Sequence, residues 1–150
     1  MTEKSFLEQF VEFQVAYAGL LATIEQYPAT LQTQIGITDD WSAREVIAHI
    51  NGWIAEALRR LPRFATGTGH FEYNIDAFNA VSIWSREGKD FDQLTEELKR
   101  LIHKVHIFVA DIDDLYTGRD DRYGEWLDIL TEQANLHDAE LRQFLDETAS

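Results

Sequence analysis

Apolar residues in this chain recur every three or four positions and nowhere alternate with a period of two, so the pattern is helical throughout. Phe6, Phe10, Phe13, Tyr17, Leu20, Leu21 and Ile24 form the first stripe and predict an amphipathic helix from about Lys4 to Gln26, stopped before Pro28. The stretch from Pro28 to Asp40, with Gly36 inside it, carries a weaker pattern and reads as a loop. A second helix starts at Ser42. Its hydroxyl can accept from the backbone N–H of Glu45 while the Glu45 carboxylate reaches back to the Ser42 N–H, which satisfies two donors that a helix start otherwise leaves bare. Beyond that cap, Val46, Ile50, Trp53, Ile54, Ala57 and Leu61 share one face, and the helix ends near Pro62.

The run Ala65 to His70, broken by Gly67 and Gly69, reads as a loop. Asn74 caps a short helix from Ile75 to about Arg86, closed by Gly88. Asp90 and Gln93 repeat the reciprocal cap, and Phe91, Leu94, Leu98, Leu101, Ile102, Val105, Val109 and Ile112 make the stripe of a third long helix. The acidic turn Asp111 to Asp121 separates it from a last helix over roughly Gly124 to Asp146, with Trp126, Leu127, Leu130, Ala134, His137, Leu141 and Leu145 on its apolar face. The expected architecture is all-α, one domain over residues 1–150: a four-helix bundle with an extra short helix between the second and third main helices.

Composition narrows the chemistry. Acidic residues outnumber basic ones 27 to 13, and a net charge of -14 repels phosphate, so neither nucleic acid nor an anionic membrane surface is an expected partner. No segment is apolar for long enough to span a bilayer, and the first residues lack the pattern of a signal peptide, which sets a cytoplasmic expectation. With no cysteine there is no thiolate nucleophile or ligand, so any chemistry rests on histidine, carboxylates, hydroxyls or a bound ion.

Two histidines stand at borders between an apolar stripe and a polar face: His49, between Trp53 and Glu56 on the second helix, and His137 on the last. Gln133, one turn before His137, points the same way, so His49, Gln133 and His137 can form a three-residue constellation. The plainer reading makes each a half-buried polar residue with one hydrogen bond. Glu45, Glu56 and Glu140 lie close enough in sequence to complete such a site or orient an imidazole. His70, His103 and His106 read as structural or surface residues. No Ser, His and Asp spacing suggests a nucleophile with its base, and no glycine loop suggests a phosphate cradle. The four tryptophans, Trp41, Trp53, Trp84 and Trp126, read as core and helix-entry anchors more than as a ligand cage, and Trp53 and Trp126, close to the candidate edge, are the two expected to line a pocket.

The segment Trp41-Ser42-x-x-Glu45-Val46-Ile47-Ala48-His49-Ile50-x-x-Trp53 resembles the second-helix signature of the DinB/YfiT-like superfamily. Asn74-Ile75-Asp76-x-Phe78-Asn79 is similar to the ClbS/DfsB family within it, and Gln133-x-x-x-His137-x-x-x-Leu141-Arg142 falls where the last-helix motif stands. The resemblance implies a four-helix bundle, often a dimer, and a divalent metal (zinc, nickel or iron) held by one histidine of the second helix and a His-x-x-x-His pair of the last. Carried over, the ligands are His49, Gln133 and His137. Gln133 departs from the pattern, because a neutral carboxamide replaces an imidazole and makes a poorer divalent site.

The ClbS relatives are linked to self-protection by opening a strained electrophilic ring in a genotoxic metabolite. By resemblance, then, the expectation is a cytosolic protein that takes a small, electrophilic metabolite into a pocket lined by Trp53, Asn79, Trp126 and Gln133, where His49 and His137 act as catalytic residues on a water. The alternative is a non-catalytic module that binds a ligand or pairs with itself, having lost the metal site. A metal-dependent thiol transferase fits less well, since no basic cluster awaits an anionic thiol.

Overall fold

In the computed structural model, which describes residues 5–38, 40–61, 74–111 and 122–148, each main stripe becomes a helix. These are α1 (Phe6–Glu25), α2 (Ala43–Arg59), α3 (Ile75–Trp84), α4 (Phe91–Asp111) and α5 (Arg122–Thr148). Among the described residues there is no strand, only an isolated bridge between Thr38 and Trp41. The expected loop 65–70, the turn 112–121, Pro62, His70 and Ile112 lie outside the described residues.

The expected caps are in place. The Ser42 backbone N–H donates to Glu45 Oε1 at 3.1 Å and the Ser42 hydroxyl accepts from the Glu45 N–H. Asp90 and Gln93 exchange the same pair of bonds at 2.8 Å each, and Asn74 Oδ1 accepts from the Ala77 N–H. Each bond satisfies a donor that the first turn cannot. Pro28 follows the end of α1 closely, and Gly36, at φ 133° and against the Phe144 ring, makes a turn that a side chain would strain.

Helix directions follow from which residues meet. The Tyr17 hydroxyl donates to the Leu130 carbonyl at 2.8 Å, Thr23 to Asp138 and the Tyr27 hydroxyl to the Leu141 carbonyl, so numbers rise together and α1 and α5 run parallel. Asn51 donates to the Leu94 carbonyl and to Glu97, while Arg44 reaches the Lys89 carbonyl before α4 begins, so α2 and α4 are parallel as well. Between the pairs the sense reverses: Trp126 donates to the Ala57 carbonyl while His137 meets His49, and Phe91 meets Tyr27 while His106 meets Phe13. The four long helices therefore run up, down, down, up around a core that includes Phe13, Tyr17, Leu20, Ile47, Ile50, Leu94, Leu98, Leu127 and Leu141.

Parallel neighbours joined in sequence need a connection that travels back along the bundle. For α2, with 17 residues, that is about 25 Å at 1.5 Å per residue. The short helix α3 provides the return. Its C-terminal end is held at the start of α2, where the Arg44 guanidinium donates to the carbonyls of Arg86, Glu87 and Lys89 at 2.7, 2.9 and 2.9 Å. Farther along, Trp53 meets Phe78 and Asn79. The charged fork suits these C-terminal carbonyls, whose lone pairs lack intrahelical partners. Glu97 completes the clamp by accepting from Arg86, Lys89 and Asn51 at 2.9, 3.1 and 2.8 Å.

This return path corrects the simple amphipathic picture of α2. Ile47, Ala48, Asn51 and Gly52 are buried along with the expected stripe, because α4 and α3 cover the faces that a plain bundle leaves wet. Gly52 permits the closest approach: a Cβ there would stand 2.2 Å from Ser82 Oγ and 2.5 Å from Ser82 Cβ. Replacing Gly52 with Ala is therefore expected to destabilise the fold by about 1–3 kcal/mol through overpacking, despite the better helix propensity of alanine, as read by urea denaturation.

Candidate functional site

The α2–α5 contact brings His49 and His137 together, as expected. Their ring centroids are 4.9 Å apart with planes at 84°, an edge-to-face pair, and each residue is only 7% exposed. Trp41 also meets His49, at 4.9 Å between centroids. Its contact with His49, with the ring planes tilted at 46°, is a role that periodicity did not suggest, since Trp41 precedes the helix and forms the bridge with Thr38. The signal was present only as an aromatic just ahead of the Ser42 cap.

The two imidazoles are fixed differently. His137 Nδ1 lies 2.8 Å from Glu140 Oε1, one turn along α5, so a neutral His137 carries its proton on Nδ1 and donates it to the carboxylate. His49 Nδ1 is buried and has no hydrogen-bond partner, and the same holds for Gln133 Oε1. Of the three glutamates considered from sequence, Glu140 alone meets an imidazole: Glu45 is spent in the α2 cap and Glu56 pairs with Arg59.

Burial decides the charge state. It pushes the His49 imidazole down to about 4, helped by the neighbouring His137 and weakly opposed by a hydrogen bond to Asn79. His137 is likewise pushed down to about 4 by burial. Burial also raises the Glu140 carboxyl above its ordinary range. Near neutral pH both imidazoles are uncharged, each with one nitrogen lone pair.

Other expected pocket residues take more specific places. Trp53 is half-buried, and its indole N–H donates to Asn79 Oδ1 at 2.7 Å, so these two hold one another at the seam between α2 and α3. Trp126 is 3% exposed with its indole N–H given to the Ala57 carbonyl, so it forms wall and core. Trp84 is not the core or helix-entry anchor expected: it ends α3 and is 69% exposed, on a face of that helix that does not pack on α2. His103 is exposed, and His106 stands edge-on to Phe10 at 5.3 Å, in keeping with surface and structural roles.

The imidazole pair offers two neutral electron-pair donors, and Gln133, one turn before His137 on α5, carries a further one in its buried carboxamide oxygen. Among the described residues no three His, Cys, Asp or Glu side chains gather to hold a metal. With Gln133 counted, however, two partnerless buried atoms and an imidazole oriented by a carboxylate on its far nitrogen suit a cation, as two nitrogens and one oxygen.

The fold and site define a class: an all-helical up-down-down-up bundle with a buried histidine pair at an antiparallel helix seam. The chain is similar in structure to an uncharacterised protein of Escherichia coli UTI89, with a TM-score of 0.80 and 14% sequence identity, over 99% of this chain and 96% of that one. The likeness extends to the fold. No protein-family profile matches the sequence, and no curated protein matches it significantly. Among the described residues no helix is long and apolar enough to cross a membrane.

The lowered imidazole pKa values have a definite sign in stability. An unfolded chain protonates each histidine near 6.5, whereas the folded chain resists until about 4, so stability is full above 6.5 and is lost as pH falls toward 4. Each imidazole contributes at most about 1.4 kcal/mol per pH unit in that window, partly offset by the raised Glu140 carboxyl. Urea titrations at pH 7 and pH 5 are expected to show this loss, and a His49→Phe, His137→Leu double variant to show a flatter dependence.

Proposed function

We propose that this chain is a ClbS-like member of the DinB/YfiT-like superfamily that binds a small electrophilic metabolite and adds water to it, with His49 and His137 holding the water. The observation that carries the reading is the pair of buried, uncharged imidazoles with ring centroids 4.9 Å apart, with His49 Nδ1 left without a partner and Gln133, one turn before His137 on α5, with its Oε1 likewise unpartnered. In a well-made interior such atoms are satisfied by something, and lone pairs are satisfied by a donor. A water donating to two of them keeps its own lone pairs for attack.

The low basicity of the imidazoles selects the substrate. At pH 7 a base with a pKa about 4 is almost wholly in its unprotonated form, so both are ready to accept, but each draws a proton only weakly. Such a site orients a water more than it deprotonates it, and rate then depends on an electrophile that is already strained or activated. The water oxygen bonds to the electrophilic carbon and the strained bond breaks with its electron pair on the leaving atom. The proton released from water passes through an imidazole to that atom. Glu140 stabilises His137 while it is charged.

The superfamily resemblance also implies a divalent ion. His49, Gln133 and His137 would hold it, and it would supply a lowered pKa to a bound water. Replacing Gln133 with His, which restores a third imidazole, is expected to raise zinc or nickel affinity by at least roughly tenfold in calorimetric titration. Elemental analysis of protein purified without chelators tests occupancy in the original chain.

Turnover of a strained-ring electrophile in water is the direct test of the reaction. His49→Ala and His137→Ala are each expected to lower kcat by about 100-fold or more with the helical circular dichroism retained. Unchanged turnover in both would remove the histidines from the mechanism. A second reading, binding without chemistry or self-association, is favoured by Gln133 in place of an imidazole. It predicts ligand-dependent quenching of tryptophan fluorescence with no product formed, or a dimer on size-exclusion chromatography.

A further inference from the structure

We propose that the cavity between α1 and α4 is a second binding site, on the opposite side of the bundle from His49 and His137, and that it takes a small organic ammonium ion carrying an apolar body. The proposal stands apart from the hydrolytic reading, because none of its residues belongs to the α2–α5 seam. Of the four seams between neighbouring long helices, that between α1 and α4 is packed least. Where α1 finishes and α4 starts, it opens into a cavity of about 420 Å³, within the range of about 300–1,000 Å³ usual for small-molecule sites.

The floor of the cavity is apolar and buried: Ile24, Tyr27 and Phe91, the two rings 6.3 Å apart between centroids. It is fixed before any ligand arrives. The Tyr27 hydroxyl donates to the Leu141 carbonyl, and the Thr95 hydroxyl donates to the Phe91 carbonyl at 2.8 Å. Gln32, on the wall, is held twice: its backbone carbonyl accepts from the Arg44 N–H at 3.0 Å, and its side-chain N–H donates to the Tyr27 carbonyl at 3.2 Å. Each of these bonds turns a side-chain or backbone group toward the protein, so a ligand pays little to order the site.

The rim sets the charge of the ligand. Glu25, Asp92 and Glu96 stand there exposed, against the one ammonium of Lys99, which already pairs with Glu96 at 3.4 Å. The C-terminal end of α1 and the N-terminal end of α4 meet at this place, so their opposed dipoles offset one another and the side chains decide the sign. A carboxylate or phosphate is repelled. A bare metal ion is a poor occupant as well, since among the described residues no three carboxylates or imidazoles gather closely enough to hold one, and an ion leaves the apolar floor uncovered. An ammonium group on an apolar body answers both parts: the body covers Ile24, Tyr27 and Phe91, and the charge rests among the rim carboxylates with the rings beneath it.

Titration of the full nitrogen-15-labelled chain at neutral pH, followed by proton–nitrogen correlation spectra, tests the site with four probes: phenethylammonium, the neutral phenethyl alcohol, the anion hydrocinnamate and magnesium ion. Phenethylammonium is expected to shift the amides of Glu25, Tyr27, Phe91 and Thr95 saturably, with a Kd of about 1 mM or below and at least about threefold tighter than the alcohol. Hydrocinnamate and magnesium are expected to leave those amides in place. The double change Glu25→Gln, Asp92→Asn removes charge from the rim and should weaken the ammonium by about threefold to tenfold while the alcohol binds as before. Should that variant lose its helical circular dichroism, Lys99→Gln serves instead: it removes the competing ammonium and should tighten phenethylammonium by about twofold or more. A His49→Ala, His137→Ala variant is expected to bind the ammonium as the original chain does, so the result is independent of whether the chain hydrolyses anything. No saturable shift by about 10 mM, equal affinity for the alcohol or the anion, equal shifts with magnesium, or an affinity that the charge changes do not move overturns the proposal.

Discussion

Two long helices that follow one another in the chain with only the short α3 between them, α2 and α4, lie side by side and point the same way, and most of what distinguishes this bundle follows from that. A tight turn joins antiparallel helices, but parallel ones demand a return of the chain over their whole length. The return is made by α3, laid on the outer face of α2. A helix that an ordinary bundle would leave half in water is thereby covered on nearly all sides. The clamp that fixes the return uses charge economically: one guanidinium takes three carbonyl oxygens, and one carboxylate takes three donors.

Burial on that scale sets the chemistry of His49. An imidazole at the exposed edge of a helix titrates near neutrality and works as a switch. Sealed between Trp41, His137 and the α3 crossover, it stays neutral, and its hydrogen-bonding pattern matters more than its charge. The same desolvation acts on His137 and on Glu140 with opposite effects, lowering the imidazole pKa and raising that of the carboxyl it meets. The site is a place of nitrogen lone pairs among buried side chains.

How far this was legible in advance differs between elements. The caps at Ser42, Asn74 and Asp90 are local contracts between residues three apart, and they form where the chain predicts them. The edge position of His137 was readable from periodicity for the same reason, and its bond to Glu140 spans one turn of one helix. Trp53 with Asn79 and Trp41 with His49 were not readable as pairs, because each joins an element to another whose direction the pattern leaves open. The role of Gly52 as the seat of α3 was not readable either, because the close approach to Ser82 comes from another helix.

The sequence by itself determined the helices, their starts and their main apolar stripes, since these depend on spacings of three and four residues and on the hydrogen bonds of single turns. Only the tertiary structure decided which helices are parallel, which faces of α2 are covered twice, and that His49 and His137 meet. Those outcomes depend on long-range contacts, where many stripes of similar hydrophobicity compete and the choice is made by fit, such as a missing Cβ at residue 52, and not by pattern.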